Sequence, residues 1–181
     1  TWRRSPTRWR TCRAPCAPMA RKQRPSKADL KQELLAALQA QLTALELAHQ
    51  ATIAGATHAE AKPENDKDTR ALEQTYLARG QAARVEEARL ELLAAGGLVV
   101  KAAAPNAPVA LGCLAVVAQD DDEKMFYLAP AGGGLALAGG KVQVLTPKSP
   151  LGAALLGKSA GDGAEVKLGG KLRTMEILVV K

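Results

Sequence analysis

Ser149-Pro150-Leu151-Gly152-Ala153-Ala154-Leu155-Leu156-Gly157-Lys158-Ser159-Ala160-Gly161-Asp162 carries its own punctuation, and the chain can be read outward from it. Ser149 is a good helix N-cap, and Pro150 suits the first helical position, where a missing N–H costs nothing. The Ala and Leu residues that follow predict a short apolar helix over 150–156, and Gly157 and Gly161 open turns. The letters from Gly152 to Ser159 also fit the phosphate-loop expression G-x-x-x-x-G-K-[ST]. That chemistry needs a helix starting at the Lys, with its N-terminal amides turned to the phosphates. Here the turn-forming Ala160-Gly161-Asp162-Gly163 follows instead, and only 22 residues remain after Ser159, too few to complete an NTPase sheet. Nucleotide binding is therefore rejected. The run Gly132-Gly133-Gly134 has no helix after it either and reads as a loop.

Around this stretch the sequence reads as short strands and turns. Apolar and alternating segments predict strands over 109–119, 124–129, 141–146, 164–168 and 171–180. Asp120-Asp121-Asp122 and Gly169-Gly170 read as turns, the latter a two-residue hairpin connection. Five strands on one short helix make an α+β domain over 98–181.

Upstream the punctuation changes. Residues 96–181 hold fourteen Gly and five Pro, whereas 26–95 hold two Gly and one Pro, Pro63. Ser26 offers an N-cap with Asp29 near the positive end of the helix dipole. Leu30, Leu34, Leu38, Leu42 and Leu45 then recur at three- or four-residue spacing and form one apolar stripe. Pro63 interrupts, Asn65, Asp66 and Asp68 offer caps for a second helix, and Gly96-Gly97 ends it. Leu72, Tyr76, Ala83, Leu90 and Leu93 give that helix a heptad-like stripe. The expectation is an antiparallel coiled-coil hairpin over 26–95 with its tip near 61–68. Each arm of roughly 30 residues would be about 45 Å long. One narrow stripe cannot stabilise a lone helix, so the two arms bury each other's.

Composition agrees with a long narrow element beside a small core. The 181 residues include 36 Ala and 25 Leu, while aromatics are 3%. The net charge of +7 suggests a nucleic-acid binder until it is located. Residues 1–25 hold eight positive charges and no acids, which leaves 17 basic against 18 acidic residues in the remainder. A basic groove for a phosphate backbone is thus unsupported by overall charge. The tail reads either as a basic disordered arm, with Trp2 and Trp9 stacking on bases, or as sequence upstream of a true start at Met19. Three Cys exclude a disulfide scaffold, and no run of about 18 apolar residues spans a membrane. Cys12 and Cys16 lack the partners of a zinc site. Cys113 reads as a small buried strand residue, and His49 and His58 have no triad partners.

The quoted stretch resembles the C-terminal signature of the Gre transcript-cleavage factor family (GreA/GreB), an S-P-x-x-x-A-L-x-G-K-x-x-G-D pattern preceded by one strand and followed by two. The resemblance is close over 141–180, and the upstream hairpin agrees in architecture. It implies a C-terminal domain of FKBP-like fold and a bacterial, cytoplasmic, monomeric factor with no cofactor of its own. It also implies a partner, RNA polymerase, docked through Ser149, Pro150, Leu151, Gly157, Lys158, Gly161 and Asp162. The hairpin would enter the secondary channel, bringing the factor near nascent RNA and DNA. Acids at the tip would help hold a Mg2+ shared with the polymerase, which cuts backtracked RNA itself, so the factor is not an enzyme. Physically, a carboxylate there completes a two-metal site that activates water and offsets phosphate charge.

The family tip usually reads G-D-L-x-E-N-A-E-Y, with two carboxylates three apart. This chain has Lys62-Pro63-Glu64-Asn65-Asp66-Lys67-Asp68-Thr69-Arg70, with acids two apart. An ungapped comparison puts Glu64 on the first family acid and Lys67 on the second. Glu64, Asp66 and Asp68 are the tip acids this resemblance assigns to the polymerase site, with Glu64 and Asp66 as metal ligands. Acids at a helix start also serve as caps, and Lys62, Lys67 and Arg70 either contact RNA or pair with the acids. The alternatives to cleavage stimulation are a polymerase-binding modulator, a coiled-coil chaperone or scaffold, and a prolyl isomerase. For the last, the second half offers only Phe126 and Tyr127 as aromatics.

Overall fold

The computed structural model describes residues 24–57, 70–100, 107–119, 122–168 and 170–181. The described residues begin with two long helices, α1 (Lys27–Thr57) and α2 (Arg70–Gly96). Ser26 caps α1 as expected: its hydroxyl accepts from the Ala28 N–H at 3.3 Å, and its carbonyl accepts from Leu30. The stripe Leu30, Leu34, Leu38 and Leu42 is buried, and Leu45 packs beside it. The two helices run antiparallel. Lys31 meets the end of α2 at Gly96 and Leu98, while Glu46, further along α1, pairs with Arg89 at 2.7 Å.

The second stripe is corrected by the structure. Tyr76, Ala83, Leu90 and Leu93 face solvent, with Leu90 66% and Leu93 71% exposed. The side chain of Leu72 lies outside the described residues. The face turned to α1 carries Val85, Ala88, Leu92 and Ala95. Small residues there let the helix axes approach while the α1 leucines fill the space between them, because axis separation follows contact side-chain size. The end of α2 also differs from expectation. Neither Gly96 nor Gly97 takes a positive φ. The Lys31 ammonium instead donates to the carbonyls of Gly96 and Leu98, at 2.9 and 2.8 Å. A cation thus satisfies carbonyls at the negative end of the dipole, where a left-handed glycine was expected.

The rest of the chain forms one mixed sheet. Its strands are β1 (Leu114–Gln119), β2 (Asp122–Leu128), β3 (Ala136–Leu137), β4 (Val142–Leu145), β5 (Gly163–Leu168) and β6 (Lys171–Val180), in the order β3-β4-β2-β1-β6-β5. Only the β2–β4 pair is parallel. The short helix α3 (Pro150–Leu155) follows β4 and packs on β5. Four predicted strands fall within two residues of their observed limits. The first prediction ran too long, because 109–113 is a loop, and Cys113 is half-buried just ahead of β1 rather than within it. β3 was not foreseen: two residues inside a glycine-rich stretch give no period to read. Of the Asp120-Asp121-Asp122 turn, only Asp122 lies within the described residues, where it opens β2.

Side chains of β1 and β2 alternate between the two faces, as period-two geometry requires. Leu114, Tyr127, Val142 and Val144 form one core with Leu30, Leu34, Leu38, Ala95 and Leu98 from the helices. Ala115, Val117, Phe126, Leu128, Met175 and Ile177 face the other way and pack with Leu155 of α3. Both faces of the middle of the sheet are covered, which is why 114–118 reads as a continuous apolar run.

Candidate functional site

Ser149 performs two jobs at the start of α3. Its hydroxyl donates to the Thr146 carbonyl at 2.7 Å and accepts from the Gly152 N–H at 3.0 Å. Gly152 is irreplaceable on steric grounds, since a Cβ would stand 2.0 Å from the Thr146 carbonyl oxygen. Leu155 is fully buried, and Leu151 and Ala154 pack beside it. The glycine of the apparent phosphate loop therefore lies inside a helix pressed on backbone, and no anion cradle exists there.

The second half of the stretch is a tied turn. Gly157, at φ 78°, donates to the Val109 carbonyl at 2.9 Å, and the Lys158 carbonyl accepts from the Val109 N–H at 2.7 Å. The Lys158 ammonium donates to the Gly163 carbonyl. The Asp162 carboxylate accepts from the Ser159 N–H at 2.7 Å, while Gly161, at φ 91°, and Asp162 exchange hydrogen bonds with Ile177 of β6. Lys158 and Asp162 thus spend polar capacity on holding backbone. What the stretch leaves exposed is Pro150, Ala153, Leu156, Gly157, Gly161 and the outer side of Asp162.

Leu156 and Gly157 form one wall of an apolar groove of about 990 Å³. Its other walls come from the end of α2 (Ala94, Leu98, Val99) and from the loop that precedes β1 (Pro108, Leu111, Cys113). Leu111, Leu156 and Val99 are between 43% and 66% exposed, so an apolar surface joins the signature stretch to the root of the helices. Sequence reasoning missed this groove. Its walls come from separate stretches, with Pro130 and Pro147 adding to those named, that no single period connects.

The tip acids Glu64, Asp66 and Asp68 lie outside the described residues, as do Lys62, Lys67, His58 and the tail with Cys12 and Cys16. Among the described residues no group of three His, Cys, Asp or Glu side chains stands close enough to hold a metal. None of the described helices is long and apolar enough to cross a membrane. The described ion pairs join Arg89 to Glu46 at 2.7 Å across the helices and to Glu86 at 2.6 Å within α2. The hydrogen bond that Arg89 donates to Glu46 and the charge of Glu86 raise the already high pKa of Arg89.

Residues 105–181 match the family described as transcription elongation factor, GreA/GreB, C-terminal. No curated protein matches the chain. Among solved structures the chain is similar to GreA factor homolog 1 (Gfh1) of Thermus thermophilus, at 15% identity and a TM-score of 0.34 over 81% of this chain and 94% of that one. It is similar to Gfh1 of Thermus aquaticus at 15% identity and a TM-score of 0.35, over 79% of this chain and 90% of the other. A GreA/GreB elongation factor from Nitrosomonas europaea gives 21% identity and a TM-score of 0.35, over 64% and 95%. Such scores add nothing beyond the C-terminal match, which spans the strands, α3 and the tied turn. The family match itself covers residues 105–181, the sheet domain and not the helix pair.

Proposed function

We propose that this protein is a transcription elongation factor that binds RNA polymerase, with its sheet domain as the docking body and its helix pair as the inserted arm. The observation that carries this reading is the GreA/GreB match over residues 105–181, together with two long antiparallel helices rooted in the same domain. Pro150, Leu151, Gly157, Gly161 and Asp162 form the docking surface beside the apolar groove, and Ser149 and Lys158 hold its shape. The acids Glu64, Asp66 and Asp68, which the sequence places between the two helices, act in the polymerase active centre. Carboxylate oxygens suit Mg2+, a hard cation. Glu64 and Asp66 would hold an ion shared with the polymerase, and that ion supplies activation of water for phosphodiester cleavage. The protein contributes ligands and placement, and the polymerase carries out the reaction.

Cleavage of RNA in a stalled, backtracked elongation complex tests this directly. Addition of the protein is expected to raise the cleavage rate, and the triple variant Glu64→Ala, Asp66→Ala, Asp68→Ala should lose at least about tenfold, as loss of a metal-holding group does. Failure of the protein to be retained on core polymerase would overturn the whole reading. Retention without cleavage would select the second one, a modulator of the same channel. Lys67 favours that alternative, because it stands where the family pattern has its second acid.

A further inference from the structure

The first two turns of α1 meet the sheet domain through contacts of two kinds. Leu34 is fully buried over Gly132, where an added Cβ would come within 2.7 Å of its Cδ1. Next to it, both carboxylate oxygens of Glu33 accept from the Ala138 N–H, at 3.0 and 2.8 Å. Ala138 is the one non-glycine with positive φ among the described residues, at 52°, and Gly139 and Gly140 continue in the same region at 65° and 87°. A non-glycine there costs about 1 kcal/mol or more of backbone strain and persists only where its surroundings hold it.

Apolar burial has no direction, so the leucine stripe alone would let α1 roll or slide across the sheet. A carboxylate–amide hydrogen bond is directional, and a close approach over glycine sets the depth of the contact. The consequence grows with distance from the joint. A tilt of about 10° at Glu33 moves the Thr57 end of α1 by roughly 6 Å, given a rise of about 1.5 Å per residue. Productive ligand placement tolerates only about 0.5 Å.

We propose that Glu33, seated on the Ala138 amide beside the Leu34–Gly132 contact, is a positioning residue that sets the direction in which the helix pair leaves the sheet. Its functional consequence rests on the elongation-factor reading above, whereas the geometry is measurable without polymerase. The test is the distance distribution between spin labels at Gln50→Cys on α1 and Lys167→Cys on β5, in a full-length background carrying Cys12→Ser, Cys16→Ser and Cys113→Ser. The parent and Glu33→Gln, whose amide oxygen still accepts the Ala138 N–H, are expected to share one narrow distance. Glu33→Ala is expected to shift or broaden it at an unchanged melting temperature, and Gly132→Ala to shift it by displacing Leu34. A Glu33→Ala distribution that coincides with the parent overturns the proposal. In the cleavage assay Glu33→Ala should retain polymerase binding and lose rate, with Glu33→Gln restoring it; an unchanged Glu33→Ala rate also counts against the proposal. If even the parent protein fails to bind polymerase, the elongation-factor reading falls and the label distances still decide the role of Glu33.

Discussion

Tyr127 is wholly buried, yet its hydroxyl has no hydrogen-bond partner. Burial in the apolar layer raises its pKa above the usual phenol range, and the neighbouring Cys113 raises it further. In the unfolded chain the phenol ionises near about 10. Above that pH the native state holds a proton that the unfolded state has released, so stability falls as pH climbs through about 10 towards the folded value. Tyr127→Phe removes both the unpaired hydroxyl and this alkaline loss. Urea denaturation should show the variant unchanged or more stable by about 1 kcal/mol at neutral pH, with a larger advantage above pH about 10. A loss of more than about 1 kcal/mol at neutral pH would mean that the hydroxyl is hydrogen-bonded after all. The sequence named Tyr127 only as one of two aromatics in the second half, because an orphaned hydroxyl is a property of surroundings. Ser149 and Pro150 were legible, since a cap and a first-turn proline act on residues within three positions of themselves.

At the scale of elements, the helix pair shows where periodicity stops informing. On α1 Leu30, Leu34, Leu38 and Leu42 fall on one face, and the structure buries that face, leaving Leu47 and Ile53 exposed. On α2 two faces compete: one carries Leu90 and Leu93, the other Val85, Ala88, Leu92 and Ala95. Ranking by side-chain size selects the first, but a close approach to the α1 leucines selects the second. Complementarity across a pair decides, and one helix read alone cannot supply it. The contrast predicts a sharp difference between equal substitutions. Leu34→Ala should cost about 2–5 kcal/mol through lost burial and the cavity it leaves. Leu93→Ala, on the exposed face, should stay within about 0.5 kcal/mol. Chemical denaturation of both variants checks this, and a Leu93→Ala cost matching that of Leu34→Ala would place α2 in the opposite rotation. The strands were easier to read: β6 was anticipated to the residue, because alternation needs no knowledge of the partner strand.

For the whole molecule, the core fills both faces of the sheet and, from the joint outward, thins along the described part of the arm. The sheet face and the roots of both helices share one buried cluster. Further out, Leu42, Val85 and Ala88 make a smaller one. Beyond these, His49 Nδ1 and Gln81 Oε1 are buried without partners, and Ile53 is 43% exposed. An unpaired buried polar atom costs about 1–3 kcal/mol, so the outer described part of the arm loses stabilisation where the root gains it. Local opening follows the density of buried apolar contacts. Amide hydrogen exchange should therefore be slowest in β1, β2 and residues 30–42 of α1, and quicken steadily from residue 46 to residue 57. The shared cluster further requires the α1 root and the sheet to open together, at the same free energy. Slow exchange maintained to residue 57 would mean that the outer arm has a seam of its own. A root opening well below the sheet would show that the joint is a hinge, and an arm on a hinge would contradict the placement proposed for the acids Glu64, Asp66 and Asp68.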